Sequence, residues 1–144
     1  IIFMYLIFIF FAHFLGSIIN LYNSIKYYDR IAHLISGILT SFGALIILIL
    51  FKHYNPKKII FSIIFIFSFS LAIAGLWEVF EFSFDKLFDK DAQHVRTTGV
   101  NDTMFDIIAA FLGTSLFSVL YACEEKTGNK IIIKYFIKEL TNDE

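Results

Sequence analysis

Between Lys58 and Glu78 the chain reads IIFSIIFIFSFSLAIAGLW (residues 59–77), with no charged side chain and only serines to break the apolar run. A soluble helix would show a polar face recurring every three or four residues, and none is present. The length instead matches the roughly 20 residues an α-helix needs to cross about 30 Å of hydrocarbon. Three further charge-free runs, at residues 1–25, 31–51 and 107–123, repeat the pattern. Of the 144 residues, 58% are hydrophobic, 19% aromatic and only 17% charged, too few charges to cover a soluble surface. These proportions exclude a soluble enzyme, a nucleic-acid-binding domain and a disordered chain. They predict an all-α polytopic membrane protein, a bundle of four transmembrane helices at about 1–22, 29–51, 59–84 and 102–123.

The remaining segment, 124–144, reads as an amphipathic tail. Ile133, Phe136, Ile137 and Leu140 recur at helical spacing while Lys130, Lys134 and Lys138 line another face, so a short helix lying on the membrane surface is expected. The side holding the 52–58 turn and this tail carries seven Lys and Arg, against five on the side of the 23–30 and 85–101 loops. The positive-inside rule then places both termini in the cytoplasm of a cell-membrane protein, with the 85–101 loop outside. A first residue other than Met suggests that the natural N-terminus lies further upstream. The first run is too long for the h-region of a signal peptide and lacks a small-residue cleavage pattern. Cys123, the sole cysteine, can form no internal disulfide and is expected to be an inert packing residue.

Ionisable residues gather where three of these helices meet one membrane boundary. Helix two opens with Asp29, Arg30 and His33; helix three carries Glu78 and Glu81 near its end; helix four opens with Asp102 and Asp106. Asp29 with His33, Glu78 with Glu81, and Asp102 with Asp106 are each three or four residues apart, so each pair shares a helix face. At about 1.5 Å per residue, His33 and Asp106 lie roughly 3–6 Å inside their helices, and Glu78 lies about 30 Å from Ile59, at the same boundary. Small residues continue the faces inward: Gly37, Ser41 and Ala44; Ala74 and Ser70; Ala109 and Gly113. In lipid such residues allow close helix packing, so the acids are expected to face the bundle interior. A carboxylate facing hydrocarbon costs on the order of 3 kcal/mol, so these groups must be paired, protonated, hydrated or metal-bound.

Each residue has a plain reading and a chemical one. Asp29 and Asp102 stand where helix N-caps belong. His33 either hydrogen-bonds a facing carboxylate or serves as a ligand. Asp106 is too deep for a cap. His33, Glu78, Glu81, Asp102 and Asp106 form a set suited to one divalent ion such as zinc, manganese, iron or magnesium. Glu78, Glu81 and Asp106 are then the candidate catalytic groups, and Arg30 and Arg96 the candidates for holding an anionic substrate. His94 is either a solvated loop residue or an added ligand or proton shuttle. His13 and His53 lie away from the cluster. Trp77, Phe80, Phe82 and Phe84, with Tyr22, Tyr27 and Tyr28, fit an interfacial aromatic belt.

Three segments carry a resemblance. Tyr28-Asp29-Arg30-Ile31-Ala32-His33, Trp77-Glu78-Val79-Phe80-Glu81, and Gly99-Val100-Asn101-Asp102-Thr103-Met104-Phe105-Asp106 with the later Gly113 resemble the YjdF-like bacterial membrane proteins. The glutamate-bearing helix, the arginine-containing loop and the Asp-x-x-x-Asp helix start are similar, more remotely, to VanZ-like proteins, some of which are linked to glycopeptide resistance. Neither resemblance implies an established reaction. Two functions therefore compete: a metal-assisted enzyme acting on a lipid or cell-envelope substrate, and a non-enzymatic envelope-protection or lipid- or drug-binding protein whose polar cluster is structural. A proton pathway is a third, opposed by the lack of acids in the inner half of the helices. Membrane lipids are the expected surroundings, and no nucleic-acid partner is expected.

Overall fold

The computed structural model describes residues 2–19, 21–25, 27–129 and 131–141. Ile1, Asn20, Lys26, Lys130 and residues 142–144 lie outside the described residues, as do the side chains of His13, Ser17, Asn23, Thr97, Glu139, Leu140 and Thr141. All described elements are helical. In chain order they are α1 (Ile2–Ile9), a π-helical continuation (Phe10–Ile18), α2 (Leu21–Ser24), α3 (Tyr28–Leu50), α4 (Ile59–Phe88), α5 (Val95–Thr98), α6 (Asn101–Thr127) and α7 (Ile133–Thr141). Three of them, α3, α4 and α6, are long and apolar enough to cross a membrane, whereas the apolar helix over Ile2–Gly16 is shorter.

The first segment therefore departs from the single α-helix expected over 1–22. No residue of α1 is buried, so tertiary packing imposes little regularity on it. Its turns widen into π geometry, which ends at Ile18. Two tyrosines attach this segment to α3: Tyr5 donates to the Leu39 carbonyl, and Tyr28 donates to the Phe11 carbonyl.

The C-terminal ends of α4 and α6 lie beyond the expected ones for local reasons. Phe80, Phe84 and Phe88 contact one another in sequence at i, i+4 spacing, which carries α4 four residues past the expected end. Asp89, in left-handed conformation at φ 51°, then terminates it. α6 continues beyond Cys123 until Gly128, at φ 75°, supplies the stop and its N–H bonds the Glu124 carbonyl. Cys123 lies exposed on α6, not packed as expected.

Burial runs opposite to that of a soluble protein. The buried stripe of α4 is Ser62, Ile66, Ser70, Ala74 and Glu78, one residue in every four, while Ile60, Phe61, Ile64 and Leu76 point outward. Lipid accommodates those large side chains, leaving small residues to set helix separation. A Cβ built on Gly37 would lie 2.2 Å from the Ala110 carbonyl oxygen, and one on Gly113 would lie 2.1 Å from that of Leu34. The α3 and α6 backbones thus touch at two reciprocal points. Just below, Ser70 of α4 bridges to Thr40 of α3 at 2.6 Å and to Thr114 of α6 at 2.7 Å.

A Ser70→Ala variant should lose about 1 kcal/mol, the usual worth of interhelical hydroxyl bonds in a membrane. A lowered melting temperature in detergent, against an unchanged Ser68→Ala control on the exposed side, would register it.

The far end of the bundle is apolar. Phe42, Leu45, Ile66, Phe117 and Tyr121 pack with Ile133 and Ile137 of α7, and Phe136 meets Phe42 at 5.6 Å between ring centroids. The apolar face of the tail helix is therefore turned onto the bundle. Buried Glu124 explains this attachment. Its carboxylate accepts the backbone N–H groups of Ile132, Ile133 and Lys134, the free donors at the start of α7. Beside it, Glu125 accepts a bond from Tyr54 of the 52–58 turn and stands 3.8 Å from Lys134.

Candidate functional site

The opposite end holds the ionisable residues. α3 and α6 start there and α4 finishes there, because each connection simply reverses the chain. His33 lies on the buried stripe of α3, one turn before Gly37, and Asp106 lies on that of α6, one turn before Ala110. The close α3–α6 approach therefore carries these two side chains toward each other. Asp29, one turn above His33, completes a group in which one ligand atom from each residue lies within 4.8 Å of the others.

Asp106 is 2% exposed, and its Oδ1 has no hydrogen-bond partner among the described residues. His33 is similarly buried, with Nε2 3.6 Å from Asp29 Oδ1, too long for a hydrogen bond. Asp29, Asp102, Glu78 and Glu81 all lie within electrostatic range of Asp106. Three separate helices thus bring their acids to one end of the bundle.

The remaining candidates have more defined partners. Glu78 is buried; one oxygen receives the Gln93 side-chain amide at 3.3 Å, and Oε1 has no partner among the described residues. Glu81 accepts the Trp77 indole N–H at 2.9 Å. Asp102 stands 4.0 Å from Arg30, whose guanidinium also covers the Phe105 ring at 4.5 Å. Arg96 pairs with Asp89 on the exposed loop and borders neither cavity described below, so only Arg30 of the two arginines stands beside the cluster. Neither aspartate is an N-cap: Tyr27 caps α3 and Val100 caps α6, both without side-chain bonds. Asp29 and Asp102 stand instead in the first helical turns, where the helix dipole favours negative charge.

Gln93 was not legible as part of this end. It reaches the cluster because Asp85 accepts the N–H groups of Ala92 and Gln93, folding the loop back over α4. The Gln93 amide then bonds the Glu78 carbonyl, its carboxylate and Thr103. No spacing rule links a loop glutamine to a glutamate fifteen residues away.

Two cavities meet at Asp29 and Tyr22, which line both. One, of about 180 Å³, runs inward past His33 and Ala32 to Thr40 and Ser70, between apolar walls that include Phe8, Ile73 and Trp77. The other, of about 450 Å³, opens above and is lined by Tyr27, Tyr28, Arg30, His94 and Asp102 among others. Asp29, His33 and Asp106 offer one imidazole and two carboxylates, a hard-to-borderline donor set fit for a divalent ion. Nitrogen and oxygen ligands sit about 2.0–2.2 Å from such an ion, so modest side-chain rotation would close the group around it.

Apolar helices closing around buried carboxylates and an imidazole define a helical membrane protein with a polar site at one end. The chain belongs to the family described as "Predicted membrane protein (DUF2238)", whose model matches residues 1–126, in agreement with the YjdF-like resemblance. An uncharacterised protein of Thermotoga maritima is 29% identical over 122 residues, covering 79% of this chain and 57% of that protein. The chain thus spans little more than half the length of this relative. No solved structure matches.

Proposed function

We propose that this protein binds one divalent metal ion at Asp29, His33 and Asp106 and uses it on a lipid or cell-envelope substrate at the outer face of the cell membrane. The observation that carries this reading is the convergence of the three side chains, together with an Asp106 oxygen that is buried and unpartnered among the described residues. Leaving such an oxygen bare within a bundle is costly, and a cation relieves that cost more fully than a neutral donor. A bound ion would polarise a phosphoryl or carbonyl oxygen. Glu78, with its own unpartnered oxygen, is placed as the general base, and Arg30 as the contact for an anionic headgroup. The ligand set thus differs from that read in the sequence: Asp29 joins it, while Glu78, Glu81 and Asp102 surround it.

The segment through Ile18 serves as a fourth membrane segment beside α3, supported by its exposed apolar surface and its two tyrosine attachments. The excess of Lys and Arg at the α7 end supports a cytoplasmic placement for that end.

Metal analysis of purified protein, after incubation with a divalent ion and dialysis, tests the reading. Wild type should retain about one equivalent per chain, and His33→Ala or Asp106→Asn should retain little. Equal retention in those folded variants, or none in wild type, would overturn it.

A further inference from the structure

We infer that the site recognises a hydrocarbon chain ending in a phosphate group. The chain would enter the inner cavity, the phosphate would lie at Asp29, His33 and Asp106, and any further headgroup would occupy the upper cavity. This assignment rests on the metal reading above and names its substrate class.

Three features lead to it. The first is polarity along the inner cavity. Its walls are apolar, and at its inner end the Thr40 and Ser70 hydroxyls already bond each other, leaving little demand on a ligand there. Its outer end is bordered by Asp29 and His33, and Asp106, with its unpartnered oxygen, lies behind them with a ligand atom within 4.8 Å of theirs. A ligand matching this gradient is apolar at one end and oxygen-rich at the other.

Size and access are the second. From Asp29 to Thr40 the cavity follows eleven residues of α3, about 16 Å. Its volume of about 180 Å³ exceeds the roughly 150 Å³ that admits benzene in an engineered apolar cavity, so it accepts a chain segment of several carbons. Ile73 and Trp77 line it and are also exposed, which gives a lateral route from the surrounding hydrocarbon. The third is charge. Two carboxylates repel an oxyanion until a divalent ion offsets them, and Arg30 in the upper cavity then supplies a second cationic contact. Phosphate satisfies both contacts with separate oxygens, whereas a hydroxyl or amine head does not.

The test titrates dodecyl phosphate, dodecylphosphocholine and dodecanol into metal-loaded protein in dodecyl maltoside. It follows the fluorescence of Trp77, the sole tryptophan. Saturable binding of a phosphate-bearing probe, with none of dodecanol, is expected. Binding of dodecylphosphocholine at least as tight as dodecyl phosphate assigns a phospholipid with its headgroup in the upper cavity; preference for dodecyl phosphate assigns a terminal phosphate.

Filling the cavity with Ala32→Phe on α3, or Ala12→Phe from the first segment, should weaken binding by about tenfold or more while metal content stays at the wild-type level. Two variants from different walls guard against one that fails to fold, and each is compared by melting temperature. Wild-type affinity in a folded filling variant, binding of dodecanol as tight as that of the phosphates, or equal binding by metal-free protein would overturn the inference. Metal content, measured separately, shows whether the metal reading falls with it.

Discussion

A Gly37→Val substitution is expected to be the most damaging single change in the membrane-embedded part of the chain, with loss of about 3 kcal/mol or more. Even the first carbon of the new side chain would lie 2.2 Å from the Ala110 carbonyl oxygen and 2.9 Å from its carbon, both backbone atoms that cannot rotate away. α3 and α6 would have to separate. That movement would break the reciprocal contact at Gly113 and withdraw Thr114 from Ser70. It would also part His33 from Asp106, one turn nearer the end of the bundle. Gly37→Val and Gly113→Val should therefore both lower the melting temperature steeply in detergent, and protein that still folds should lose retained metal. Gly75→Ala is the control: a Cβ there meets nothing within 4 Å, and alanine favours helix, so stability should hold or rise slightly. If Gly37→Ala melts with wild type, the close α3–α6 contact is not what holds the bundle.

Those glycines also show how far the sequence could be read. Lipid reverses the usual signal: the large apolar residues mark the outside, and the small and polar residues at helical spacing mark the inside. Gly37, Ser41 and Ala44, with Ser70, Ala74, Ala109 and Gly113, therefore identified the buried faces of α3, α4 and α6, and with them the end at which the acids gather. What stayed hidden depended on contacts without periodicity. Asp29 looked like a cap because it opens a helix, yet Tyr27 caps that helix and Asp29 turns toward His33. Gln93 arrives through loop bonds to Asp85, and the π-helical turns after Ile9 have no sequence marker. Arg96 matched the expected cation in kind, but its loop delivers it to Asp89.

At the other end, Glu124→Ala should release the C-terminal helix from the bundle. The wild-type carboxylate is 1% exposed and accepts three N–H groups that α7 cannot satisfy itself, at 3.1, 3.1 and 2.7 Å. Each bond joins a charged acceptor to a donor at a helix N-terminus, where the helix dipole adds to the attraction. Alanine would strand all three donors beside the buried Ile133. Unsatisfied buried donors cost about 1–3 kcal/mol each, more than the attachment of a nine-residue helix can readily absorb, so the helix should detach and hydrate them. The expected readout is local. Amides of α7 should exchange rapidly with solvent, and trypsin should cleave after Lys134 and Lys138, while α3, α4 and α6 keep their protection and metal retention at the far end is unchanged. Glu124→Gln should show an intermediate release, because its amide nitrogen presents hydrogens to donors that need an acceptor. Glu125→Gln should have a smaller effect, as its partners Tyr54 and Lys134 are a side-chain hydroxyl and ammonium that can reach water. Wild-type exchange rates across α7 in folded Glu124→Ala would mean that Ile133, Phe136 and Ile137 hold the helix through apolar packing alone.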